Sequence, residues 1–159
     1  MIDFKKKLNE IEQFDDIAEK YINKNKVIFI QGSFQKLRDL LFRYTLTNNS
    51  KYDEMYYFVL KEGEYINSSN EERGDIFNQY YYDTYKIISN KSELKRESDR
   101  QKISSKSLFV IYSTNNEELQ QVLNIVEHTN CRVIIFSTEN CNAKVNINTQ
   151  INMKDNGGV

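Results

Sequence analysis

The segment Gly32-Ser33-Phe34-Gln35-Lys36 is where the sequence comes nearest to chemistry. It follows an apolar run at 27–30 and opens a helical stripe, so a glycine, a hydroxyl and a lysine meet at a strand-to-helix turn. The start of a helix presents backbone N–H groups to an anion. Gly32, Ser33 and Lys36 are therefore the candidate ligand-binding residues. A loop that grips nucleotide phosphates asks for more, the pattern G-x-x-x-x-G-K-[ST], in which wrapped N–H groups, a lysine and a metal-binding hydroxyl act together. Here the second glycine is absent, Phe34 stands inside the would-be cradle, and Leu37 follows the lysine where the hydroxyl belongs. Hydrolysis also needs a carboxylate at the end of an apolar strand to hold metal and water. The strand expected at 108–112 runs instead into Ser113-Thr114-Asn115-Asn116, and the first acid, Glu117, belongs to a capping box. Two independent requirements fail together, which argues against hydrolysis. No catalytic residue is assigned.

Other chemistries fail on spacing. Asp83 with Glu93-Leu94-Lys95 fits a nuclease-like D…E-x-K pattern, but the pair falls in a charged stretch rather than on a strand. His128, Cys131 and Cys141 lack a fourth ligand and the tight cysteine knuckle of a zinc site, so neither metal nor cofactor is expected. Two surface features remain. Tyr56, Tyr57, Tyr80, Tyr81, Tyr82 and Tyr85 are many rings to bury, and the 89–106 segment is locally basic. Tyr80, Tyr81, Lys95 and Arg96 are the candidate partner-binding residues. Rings that stack and cations that track phosphates also fit a nucleic-acid strand, although the net charge of −1 does not favour it. The blander account has the tyrosines lining a helix–sheet interface and the basic run forming a solvated face.

The elements that must position these residues alternate. Phe4, Leu8, Ile11, Phe14, Ala18 and Ile22 predict a first helix over 3–23, with Asp3 as its N-cap. Residues 27–30 read as a strand covered on both faces and as the buried centre of the sheet. Ser33 then caps a helix whose stripe is Leu37, Leu40, Leu41 and Tyr44. A second strand is expected at 55–60. Ser69 and Glu72 form a capping box ahead of a helix carrying Ile76, Phe77, Tyr80, Tyr81 and Ile88. Over 89–106 apolar periodicity vanishes, predicting an exposed helix extension or loop. A strand at 107–113, a helix capped by Thr114 and Glu117, a strand at 132–136 and an edge strand at 145–153 follow, with a frayed tail. Strands alternating with helices imply one α/β domain over 1–159, a three-layer sandwich around a mostly parallel five-stranded sheet. The N-terminal MIDFKKKLNE becomes charged before an apolar leader can form, and the apolar runs are strand-length, so a cytoplasmic chain without membrane insertion is expected.

The order strand, turn, helix at the front resembles a degenerate P-loop ATPase fold. More narrowly, CRVIIFSTEN followed by VNINTQINM is similar to the closing segments of FtsK-type translocases and type VII secretion coupling ATPases. Thr138 and Asn146 would fall at that family's polar turn and Asn-bearing segment. Because such ATPases contain degenerate modules, the resemblance implies a non-catalytic interaction or regulatory module with a protein partner in a secretion or translocation machine. The alternatives are a nucleotide- or anion-binding enzyme using the 32–36 turn and a nucleic-acid-binding module using 89–106 with the tyrosines.

Overall fold

The computed structural model describes residues 3–59, 84–88, 90–100, 102–112, 116–137 and 149–153. Its elements in chain order are α1 (Phe4–Ile17), continued by a π-helical turn (Ala18–Ile22), β1 (Val27–Gln31), α2 (Phe34–Asn48), β2 (Glu54–Val59) and β3 (Lys86–Ile88). Then come α3 (Lys91–Asp99), β4 (Ser107–Tyr112), α4 (Asn116–Val126), β5 (Arg132–Ser137) and β6 (Thr149–Asn152). The six strands form one sheet in the order β3-β2-β4-β5-β1-β6. Every pairing in it is parallel.

Parallel strands joined by helices are apolar on both faces, and the alternation of side chains sorts them into two cores. Ile28 and Ile30 of β1 join Met55, Tyr57, Val110 and Ile134 beneath α1 and α2. Phe29 points the other way, with Tyr56, Phe58, Phe109 and Ile135, beneath α3 and α4. The distribution of helices follows from direction of travel. From β1 to β2 the chain moves one way across the sheet, and from β3 through β4 to β5 it moves back. Crossovers of one hand then put α2 on one face and α3 and α4 on the other. The result is the three-layer α/β arrangement.

Local signals set several boundaries. Asp3 Oδ1 accepts from Lys6 N at 3.1 Å, capping α1. Ser33 Oγ accepts from Lys36 N at 3.3 Å at the start of α2, and Asn90 Oδ1 from Glu93 N at 2.8 Å at the start of α3. Asn130, at φ 60°, ends the turn after α4 in the left-handed region that asparagine tolerates. A bidentate pair, Arg43 to Asp15 at 2.9 and 2.8 Å, ties α2 to α1.

Several expectations are corrected. The sheet has a sixth strand, β3, and Ile88 lies on it rather than on a helix stripe. A three-residue edge strand is too short to show a period. Residues 28–30 are wholly buried, but β1 lies next to the edge strand β6, while β4 and β5 are the central strands. The 89–106 segment contributes to the core: α3 buries Leu94, Glu97 and Ser98, and Ile103 follows beneath it. Two apolar residues nine positions apart leave no periodic trace. Glu97 enters because Lys86 on β3 reaches its carboxylate at 3.1 Å, so a buried charge is paired. Finally, Phe4 and Leu8 of α1 are exposed. The capping boxes at Ser69 and Thr114, the stripe from Ile76 to Tyr81, residues 145–148 and the tail lie outside the described residues.

One polar cluster closes the end of the sheet where the strands begin. The Arg132 guanidinium, at the head of β5, donates to the backbone carbonyls of Ile22, Asn25 and Asn23, the last at 3.4 Å. It thereby satisfies acceptors left over where the first helix stops. Beside it the Tyr44 and Tyr52 hydroxyls share a short hydrogen bond, and Tyr44 also donates to Asn23 Oδ1 at 3.3 Å. Replacing Arg132 by methionine should lower stability by about 2–4 kcal/mol, because charge-assisted bonds are lost while carbonyls stay buried. Urea unfolding followed by circular dichroism measures this, and an unchanged midpoint would show that the guanidinium is not a structural cap.

Candidate functional site

The carboxyl end of β1 is the place where the fold offers a ligand site. Open parallel sheets bind ligands where the chain departs in opposite directions from the carboxyl ends of strands. β1 leaves toward α2 on one face, β4 toward α4 on the other, and β5 lies between them. The turn after β1 is tied to the neighbouring strands. Gly32 N donates to Ser137 O of β5 at 3.1 Å, and Met153 N donates to Gln31 O at 2.7 Å from beyond β6. Ser33 serves as N-cap through its hydroxyl, while its carbonyl accepts from Leu37 N at 3.0 Å. The Lys36 backbone N–H is held by Ser33 Oγ.

Gly32 has a packing reason for being glycine. A Cβ there would lie 3.2 Å from Met153 Cβ, 3.5 Å from Met153 O and 3.7 Å from Leu37 Cδ2. The close approach of β6 to the turn, rather than an unusual backbone angle, demands the missing side chain. Gly32→Ala should cost about 1 kcal/mol through overpacking against the end of β6, read as a lowered melting temperature. A neutral or stabilising effect would mean that the turn has spare room.

The other candidate residues do not converge on this turn. Lys95 and Arg96 are exposed on α3, which packs on the face of the sheet opposite α2. Tyr80 and Tyr81 lie outside the described residues, as do Asp83, Thr138, Cys141 and Asn146. Tyr56, Tyr57 and Tyr85 are core residues: the Tyr85 hydroxyl meets Thr45 Oγ1 at 2.7 Å, and its ring packs edge-on against Tyr57. Burial, with the nearby carboxylates of Glu54 and Glu97, pushes the Tyr56 hydroxyl up to about 12. Burial likewise raises Tyr44, Tyr52 and Tyr57. None is an ionisable catalyst near neutral pH.

His128 is exposed after α4, with its Nε2 3.2 Å from Ser98 Oγ. Among the described residues, no three His, Cys, Asp or Glu side chains come together as a metal ion would need. Cys131 is buried at the foot of β5, and desolvation raises its thiol above the usual value despite the Thr129 hydroxyl beside it. In a Cys141→Ser variant, native Cys131 should react with a soluble disulfide reagent at least about 100-fold more slowly than in the unfolded chain, since both access and thiolate are suppressed. Equal rates would contradict its burial.

Sequence reasoning missed Ser137 and Met153 as partners of the turn. Ser137 acts through its carbonyl and Met153 through its backbone and Cβ, contacts that residue type does not reveal. Arg132 did leave a signal, a charged residue heading the apolar run RVIIF. Comparison with known proteins finds no family model that matches the chain, no similar curated protein and no similar solved structure.

Proposed function

We propose that this chain is a non-catalytic interaction or regulatory module built on a nucleotide-binding type of α/β scaffold, in the cytoplasm, with a protein as its partner. A secretion or translocation machine is the setting that the resemblance of its closing segments brings forward. The observation that supports this proposal is the turn at Gly32, whose N–H donates to Ser137 O and beside which Met153 packs. Support also comes from the sheet order. β1 lies between β5 and β6, with β4 one strand further on, an order that puts the turn after β1 where open parallel sheets bind ligands and so supports a nucleotide-binding type of scaffold. Among the described residues, no helix is long and apolar enough to cross a membrane. The exposed large apolar side chains Phe4, Leu8 and Leu46 lie on α1 and α2, which is surface that a protein partner covers.

Millimolar ATP or GTP with Mg²⁺ should leave the melting temperature unchanged and release no phosphate. A site filled at about 100 times its dissociation constant would add about 2.7 kcal/mol, a shift of several degrees that calorimetry resolves easily. Such a shift would overturn the proposal in favour of a nucleotide-binding protein using Gly32, Ser33 and Lys36.

A further inference from the structure

Glu97 is the one charged residue buried among the described residues. Its side chain, on the inner face of α3, is 9% exposed, and a single ion pair is all that it makes: Lys86 Nζ lies 3.1 Å from Oε1. The other carboxylate oxygen, Oε2, is buried with no hydrogen-bond partner. A carboxylate taken from water on such terms depends on the cation beside it. Removing that cation costs far more than the pair contributes when it forms, because an uncompensated charge stays behind.

The cation comes from the rim of the protein. Lys86 stands on β3, a three-residue edge strand paired with β2, and its side chain is 40% exposed. It is the register partner of Tyr56 and stands two residues before Ile88, so its stem follows the face that α3 covers. Little else keeps α3 there. Over 90–103 the described apolar side chains in the core are Leu94 and Ile103. The polar ties are an exposed contact from Lys91 Nζ to Gln121 Oε1 at 2.6 Å and Ser98 Oγ with His128 Nε2 at 3.2 Å. Nine residues do not hold a helix in water unaided, so α3 is ordered by being docked.

We infer that Lys86 is a modification site whose charge decides whether α3 stays docked. N-acylation is the chemistry that fits, because it acts on a solvent-reachable amine and removes its positive charge. The donor is an acyl thioester. The ammonium gives one proton to water, and the Nζ lone pair attacks the thioester carbonyl. A C–N amide bond forms as the C–S bond breaks, and the thiolate leaves with the electron pair and takes the second proton. The product is neutral, so nothing offsets the burial of Glu97. α3 then leaves the sheet and unfolds, withdrawing Leu94 and uncovering Ile88 and Phe58, register partners on β3 and β2. Acylation elsewhere lacks this leverage, since no second carboxylate is buried among the described residues. The site supplies a means of control for a regulatory module, and it stands on α3 and β3 rather than on the Gly32 turn.

Hydrogen–deuterium exchange of the full chain, read by mass spectrometry on peptides covering 90–106 and 107–112, tests it. Nε-acetyllysine installed in place of Lys86 should speed exchange over 90–106 at least about 30-fold while β4 keeps its native protection. Lys86→Gln should do the same. In a Glu97→Gln background neither change should move the rate by more than about threefold, since no buried charge is then left unpaired. Unchanged exchange over 90–106 would refute the inference. So would equal acceleration in β4, which marks loss of the whole fold rather than release of one helix. Acceleration that persists in the Glu97→Gln background would refute it too, because the charge would not be acting through Glu97. No nucleotide enters this experiment, so its failure leaves the non-catalytic proposal standing, and nucleotide stabilisation would leave the Lys86 site standing.

Discussion

All six residues of β4, from Ser107 to Tyr112, are buried, and the strand pairs with β2 on one side and β5 on the other. A parallel strand in that position has no face left for water, so its flanking faces must be covered by whatever the crossovers supply. That need accounts for the two separate cores. It also accounts for α1 and α2 lying on one face and α3 and α4 on the other. Even α3, with few apolar residues, is held in place because the face over β2, β3 and β4 needs a cover. Leu94 and Ile103 meet that need beside the Glu97–Lys86 pair.

The two ends of the sheet solve different polar problems. Where the strands begin, the leftover carbonyls of the first helix and its loop converge on Arg132, with Tyr44 and Tyr52 hydrogen bonded alongside. Where the strands end, β1 gives way to α2 through a turn in which Gly32 N donates to β5 and Lys36 and Leu37 N donate to Ser33. A phosphate site is built by leaving such donors unsatisfied until the ligand arrives. Here the Gly32, Lys36 and Leu37 N–H groups are engaged internally, and Met153 packs beside Gly32. Exposed large apolar side chains lie on α1 and α2, at Phe4, Leu8 and Leu46.

The sequence by itself determined the α/β class, five of the six strands and the Asp3 and Ser33 caps. Each of these is written in local pattern: continuous apolar runs along β1 and β4, helical spacing of Leu37, Leu40, Leu41 and Tyr44, and side chains that cap the helix they precede. Only the tertiary structure decided the strand order, which moved β1 from the supposed centre to a place beside the edge. It also decided that Gly32 is a packing glycine, because the contact partner Met153 is more than a hundred residues away in the chain. The division of α1 belongs there too. Phe4, Leu8 and Phe14 look like one stripe when counted by threes and fours, but the small drift of each step accumulates, and only the packed body shows which part of the stripe faces inward. Long-range contacts and cumulative angles leave no mark in local spacing, and that is why the candidate site had to be judged from the folded chain.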